Sequence, residues 1–178
     1  MRVISGKYRG RRLLEPSGRD VRPTADQVKE AVFNIIQFDI EGRRVLDLFA
    51  GTGQMGIEAL SRGARECVFV DSSRDSLRLV KENLSRCGAE APVVQCDALA
   101  YLRRGERFDL VFIDPPYDSG LAGRAMEAAK EFDILSKGGI MIAETRRDTA
   151  LPFLGADYGT EKIYRYGRIN ITVITRGN

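Results

Sequence analysis

Arg44-Val-Leu-Asp-Leu-Phe-Ala-Gly-Thr-Gly-Gln-Met-Gly56 decides the fold. Residues 44–50 are apolar apart from Arg44 and Asp47, which predicts a strand buried on both faces. Gly51-Thr-Gly-Gln-Met-Gly56 then matches GxGxxG where the strand must turn into a helix over 54–62, ended by Gly63. Glycines at such a turn let a ligand approach the backbone, and the helix N-terminus presents unpaired N–H groups. Asp71 follows Gly53 by 18 residues and closes the next apolar run, Cys67-Val-Phe-Val-Asp71. A carboxylate there can accept bonds from ribose hydroxyls. Strand, glycine turn and acid together predict a nucleotide-type ligand.

Working outward, the same alternation continues. Ser73 caps a helix with Leu77, Val80 and Leu84 at helical spacing and Gly88 beyond its end. Residues 92–97 read as a third strand and 98–103 as a short helix. Residues 108–114 read as a fourth strand, 121–135 as a helix stopped by Gly138-Gly139, and 140–144 as a fifth strand. Strands alternating with helices predict an α/β, Rossmann-like architecture with a mostly parallel sheet. Residues 160–166 and 169–175 are β-rich and flank Gly167-Arg168, which predicts a C-terminal antiparallel hairpin and a total of seven strands. Upstream, Thr24 and Gln27 form a capping box for a helix with Val28, Val32, Ile35 and Ile36 on one face, ending near Gly42. Residues 3–14 predict one or two short strands, and 16–23 a turn-rich linker. The chain thus divides into a β-rich extension, 1–23, and a main domain, 24–178.

Composition narrows the chemistry. The 178 residues suit one principal domain and contain no histidine. That excludes Ser-His-Asp and Cys-His catalysis and histidine metal ligands. Cys67, Cys87 and Cys96 are odd in number and lack metal-ligand spacing, so reduced thiols, a cytoplasmic location and no metal are expected. No apolar run approaches the ~20 residues of a membrane helix, so no membrane partner is expected. Charge is uneven. Residues 1–24 carry seven basic residues, Arg2, Lys7, Arg9, Arg11, Arg12, Arg19 and Arg22, against Glu15 and Asp20. The other residues carry 21 basic and 23 acidic. An arginine-rich arm on a slightly acidic body is an electrostatic footprint for nucleic acid, or else a solvated tail.

Two aspartates discriminate among nucleotide ligands. A pyrophosphate gains nothing from a carboxylate beside it, whereas Asp47 suits a ligand with a cationic end, such as the ammonium of a methionine moiety. This favours S-adenosylmethionine over NAD. Asp97 closes the third strand, where the adenine amine would lie. Asp114-Pro-Pro-Tyr117 leaves the fourth strand as a stiff turn whose prolines lack N–H groups, leaving carbonyls free to accept. Asp114 and the Pro115 carbonyl can accept both N–H bonds of an exocyclic base amine. Tyr117 offers a face for a flipped base. Methyl transfer from a sulfonium needs orientation more than acid–base power, and no metal.

At these motifs a resemblance becomes clear. Asp114-Pro-Pro-Tyr117 with the Asp47-to-Gly53 turn resembles the amino-methyltransferases of the class I, S-adenosylmethionine-dependent fold. Arg2-Val-Ile-Ser-Gly-Lys-Tyr-Arg-Gly-Arg-Arg-Leu13, Arg22-Pro-Thr-Ala-Asp-Gln-Val-Lys-Glu-Ala-Val-Phe-Asn34 and Gly56-Ile-Glu-Ala-Leu-Ser-Arg-Gly-Ala64 are similar to the RsmD family. That family methylates the N2 amine of a guanine in bacterial 16S ribosomal RNA. The resemblance implies that Asp47, Gly51 and Gly53 hold the methionine end, with Phe49 and Asp114 also among the cofactor-binding residues. It implies that Asp71 and Ser72 take the ribose, Asp97 and Ala98 border the adenine, and Asp114, Pro115, Pro116 and Tyr117 receive the guanine. It places Arg22 and Thr24 at the active-site mouth and the arm's basic residues on RNA phosphates. S-adenosylhomocysteine would be the product, and 16S rRNA, free or in an assembling small subunit, the partner.

Rival readings remain. A DNA adenine-N6 methyltransferase shares Asp-Pro-Pro-Tyr but usually adds a target-recognition segment. An NAD-dependent oxidoreductase shares the glycine turn but explains neither Asp47 nor residues 114–117. A non-catalytic RNA-binding protein would not need the intact motifs.

Overall fold

The computed structural model describes residues 1–16, 23–117, 119–159 and 162–177. Its seven strands are β1 (Arg44–Asp47), β2 (Glu66–Asp71), β3 (Val93–Gln95), β4 (Phe108–Ile113), β5 (Leu135–Arg146), β6 (Lys162–Tyr166) and β7 (Ile169–Thr175). They form one sheet in the order β3-β2-β1-β4-β5-β7-β6. β1 pairs in parallel with β2 and β4, and β5 continues the parallel set. β7 runs antiparallel between β5 and β6. The strand order reverses between β1 and β4, and ligands bind at such a switch point, outside the carboxyl ends of the strands.

Five helices cover the sheet: α1 (Pro23–Ile35), α2 (Gln54–Ser61), α3 (Arg74–Cys87), α4 (Ala98–Leu102) and α5 (Leu121–Glu131). Val32, Phe33 and Ile36 pack with Ile57 and Val80 on one face. Tyr101, Leu102, Ala125 and Met126 pack on the other. β1 shows why its sequence is so apolar: Val45 and Leu46 are fully enclosed by these two layers.

Local signals explain most boundaries. Ser73 accepts a hydrogen bond from the Ser76 N–H, and Gly88 ends α3 in the left-handed region. Several boundaries differ from expectation. α1 begins at Pro23, so Thr24 lies inside the first turn instead of capping it, and α1 ends at Ile35, well before Gly42. α5 ends at Glu131, not Leu135, because Asp133 takes a positive φ of 54° and reverses the chain. Ile134 and Leu135 kept the helical spacing, yet they are buried at the entry to β5. Gly138-Gly139 therefore lies within β5 instead of stopping a helix, near the register shift at Phe108/Leu110 of β4.

The segment before α1 makes one isolated bridge, Arg2 to Arg12, in place of the expected strands. Its loop is closed by Val3 N–H to Arg11 O at 3.0 Å and Gly10 N–H to Val3 O at 2.9 Å. Val3 and Leu13 enter the core. Fully buried Glu58 of α2 accepts from Ile4 N–H at 2.7 Å, Ser5 N–H at 3.0 Å and Arg62 Nε at 2.8 Å. Lys29 lies 4.0 Å from Glu58 and donates to Arg2 O at 2.7 Å. The loop tip is fixed by Lys7 N–H to Ser61 O at 2.7 Å. A buried carboxylate is tolerated here because donors surround it.

Gly56 shows what helix-to-sheet contact demands. A Cβ there would lie 2.3 Å from Phe69 Cε1 and 2.6 Å from Cys67 Sγ. Gly56→Ala is expected to destabilise the fold by about 1–3 kcal/mol, read as a lowered midpoint in thermal denaturation.

Candidate active site

β1, β2, β4 and β5 end on one edge, and each carries a carboxylate at or within two residues of its end. Asp47, Asp71 and Asp114 were singled out in the sequence. Glu144 was not. Cross-strand pairing of Ile113 with Ala143 brings Asp114 and Glu144 side by side. Glu144 Oε1 accepts from the Tyr117 hydroxyl at 2.5 Å. The signal for Glu144 was available: the expected fifth strand, 140–144, closes on it, and an acid there falls on the ligand edge of the sheet.

Gly51 and Gly53 both take positive φ, 54° and 78°, and so form the tight turn into α2. The turn is braced by two aspartates. Asp71 accepts from Gly51 N–H at 2.9 Å and from Ser73 N–H at 2.8 Å, tying the glycine turn to the start of α3. Each oxygen keeps a further lone pair for a ligand. Asp47 is 3% exposed and accepts from Gly56 N–H at 2.9 Å in the first turn of α2. Burial, opposed by that hydrogen bond and reinforced by the Asp71 charge, pushes its pKa up to about 7.

Asp97 is exposed and caps α4 by accepting from Ala100 N–H at 2.9 Å. Ala98 beside it is buried, Ser72 is exposed and Phe49 is half-buried against the second core layer. Gln54, at the first position of α2, carries a buried Oε1 with no hydrogen-bond partner. Sequence reasoning passed over it because glutamine at a helix start is unremarkable.

Asp114-Pro-Pro-Tyr117 lies outside β4, with Pro115 buried and Tyr117 43% exposed. Asp114 is exposed at the surface of the turn, yet the protein packed around its carboxyl desolvates it. Desolvation first, then the charges of Glu144 and Asp47, hold its pKa well above the carboxylate range. Burial likewise raises Glu144, and the Tyr117 hydrogen bond offsets part of the rise. Asp47, Asp114 and Glu144 together make an acidic edge suited to a cationic ligand. Among the described residues no group of three or more acids, cysteines or histidines is placed to hold a metal ion.

The predicted RNA-contacting residues Arg2, Lys7, Arg9, Arg11 and Arg12 are exposed. Arg19 and Arg22 lie outside the described residues, as does the side chain of Thr24. Cys67 and Cys87 are buried and Cys96 half-buried, all as free thiols. Tyr164 and Tyr166 pack against the first core layer.

Comparison with known proteins agrees with this geometry. The Bacillus subtilis protein YlbH is 38% identical over 179 residues, covering 97% of each chain. The ribosomal RNA small subunit methyltransferase D of Escherichia coli K12 is 32% identical over 164 residues, covering 91% of this chain and 83% of that one. The solved structure of Escherichia coli yhhF superposes with a TM-score of 0.90 at 31% identity, covering 99% of this chain and 98% of that one. A 16S rRNA methyltransferase of Thermus thermophilus, solved with AdoMet and guanosine, shares the fold at 22% identity and TM-score 0.71. It is matched over 91% of this chain and 45% of that one. The family model described as Conserved hypothetical protein 95 matches residues 1–175, and the chain belongs to this family of methyltransferases, the RsmD family.

Proposed function

We propose that this protein transfers a methyl group from S-adenosylmethionine to the exocyclic N2 amine of a guanine in 16S rRNA. Transfer is direct and in line, to a base flipped into the site. The observation that carries this reading is the placement of Asp114-Pro-Pro-Tyr117 beside the Gly51–Gly53 turn, at the ends of the paired strands β4 and β1. Similarity to rRNA methyltransferases supports the substrate class, and a cytoplasmic location follows from that substrate.

The residues fit the methyl donor. The carboxylate of Asp47 offers an acceptor for its cationic end, and the unpartnered Gln54 Oε1 adds another nearby in sequence. Asp71 and Asp97 keep acceptor capacity for ribose and adenine. S-adenosylmethionine supplies a methyl already activated on a sulfonium. Asp114 and the Pro115 carbonyl each accept one N–H bond of the amine, turning its lone pair out of ring conjugation and toward that methyl. The N–C bond forms as the C–S bond breaks, its electron pair stays on sulfur, and nitrogen releases one proton to water. Tyr117, steadied by Glu144, stacks on the base. Orientation is the main contribution of the protein.

Incubation with labelled S-adenosylmethionine and either naked 16S rRNA or assembled small subunits, with the product nucleotide mapped, tests this. Label at one guanine N2 is expected. Label on DNA adenine with none on rRNA would replace the reading with the rival methyltransferase. NAD binding without S-adenosylmethionine binding would overturn it altogether.

A further inference from the structure

The charge asymmetry of the sequence points to the N-terminal arm as the RNA contact, but the fold puts the tip of that arm elsewhere. α2 starts at the glycine turn and runs away from the ligand edge. The loop tip is anchored at its far end, by Lys7 N–H to Ser61 O and by Tyr8 N–H to Ser61 Oγ at 2.8 Å. Seven residues of helix, about 10 Å, separate that anchor from Gln54.

A second group of arginines sits on the ligand edge itself. β5 runs parallel to β4, so Arg146 at its end and Arg147 beyond it emerge on the same edge as Asp114. β7 runs antiparallel to β5, which returns the β6–β7 turn, with Arg168, to that edge. The two loops are tied together. Arg147 N–H donates to Arg168 O at 2.9 Å, and Asn170 Nδ2 donates to Arg147 O at 3.4 Å. Arg165 lies beside them, paired across the hairpin with Asn170. Arg147, Arg165 and Arg168 are exposed. They are also near the machinery: Arg147 lies three residues past Glu144, which holds the Tyr117 hydroxyl.

We propose that Arg147, Arg165 and Arg168 form a phosphate-contacting surface for the RNA backbone flanking the target nucleotide. The surface stands on the β5–β7–β6 side of the catalytic turn, with the N-terminal arm on the β1–β2 side. An RNA strand reaching both is held on either side of the point where one base must leave the stack. Arginine suits this position because its planar fork pairs with phosphate and keeps its charge at every working pH. The hairpin supplies a rigid mount, so less conformational freedom is lost on contact than in a free tail.

This inference rests on the RNA-methyltransferase reading, and one experiment separates the two. The triple variant R147Q/R165Q/R168Q and the single variant R168Q are compared with the wild-type protein. The measurements are binding of a 16S rRNA fragment across a salt series, methylation of that fragment, affinity for S-adenosylmethionine, and thermal midpoint. The triple variant is expected to bind RNA at least about tenfold more weakly near 100 mM salt, with the slope of log K against log salt reduced by about 2. The single variant should reduce the slope by less than one. S-adenosylmethionine affinity and the thermal midpoint should stay at wild-type values. A wild-type protein that binds and methylates the RNA while the triple variant keeps its slope would overturn the surface. A wild-type protein that neither binds nor methylates the RNA would overturn the underlying reading instead.

Discussion

Asp114→Ala is expected to lower methyl transfer by about 100-fold or more while S-adenosylmethionine binds within a few-fold of wild type. The size follows from the loss of a preorganised acceptor aimed at the reacting amine, an effect of 10²–10³ in comparable oxyanion-type sites. The selectivity follows from position. Asp114 lies beyond β4 in the turn proposed to receive the base, whereas the glycine turn and Asp71 stand on the β1–β2 side. Removing a carboxyl whose ionisation burial, Glu144 and Asp47 all oppose should leave the fold intact. Single-turnover assays beside calorimetric titration of S-adenosylmethionine separate the two effects. Wild-type turnover in this variant would remove Asp114 from the chemistry. A loss of S-adenosylmethionine affinity as large as the loss of rate would reassign it to cofactor binding.

Asp47→Asn is expected to stabilise the protein above neutral pH and to weaken S-adenosylmethionine binding about tenfold. Burial holds the carboxyl at about 7, against an ordinary value of 3.8. Between those values the folded chain keeps a proton that the unfolded chain has lost. Stability therefore falls as pH rises from about 4 to 7 and is flat above that window. Asparagine preserves an acceptor for the Gly56 N–H without the charge. Its gain over the wild-type protein is absent near pH 4 and complete above about pH 8, with an upper bound of about 4 kcal/mol. Chemical denaturation at pH 4.5 and 8 measures the difference. Equal stability of the two proteins at both pH values would mean that Asp47 titrates normally. The opposing loss in ligand affinity would mark this carboxylate as one kept for function at a cost in stability.

The parallel part of the sheet was legible because its strands are short apolar runs, each closed by an acid or a glycine turn. β7 was read at its observed bounds, Ile169–Thr175, because Gly167-Arg168 punctuates the hairpin. The α5–β5 boundary was not legible. Ile134 and Leu135 extend a helical period by coincidence, and only the positive φ of Asp133 decides the matter. At the site, Asp114 and Tyr117 stand in a recognisable motif, whereas Glu144 lies 27 residues from Tyr117 and meets it only through the β4–β5 register. Pairing across strands is what a linear reading lacks. The same limit hid the arm's seat on Glu58, whose contacts with Ile4 and Ser5 span 54 and 53 residues. Charge counting finds a basic segment but not the surface that segment rests on.

The position of β7 has a consequence for synthesis. This strand is made after β6 yet lies inside the sheet, between β5 and β6. While a ribosome is still extending the chain past Tyr166, β5 has neighbours on one side only and presents Ile140, Ile142 and Ala143 along an unpaired edge. β6 then has nothing to pair with, since its described partner is β7. The nascent polypeptide thus carries an aggregation-prone edge until Thr175 has cleared the exit tunnel. Closure of the sheet then completes the hydrophobic layers and brings Arg168 to the ligand edge together. Only chains finished through this strand can carry both the buried sheet and the full set of edge arginines.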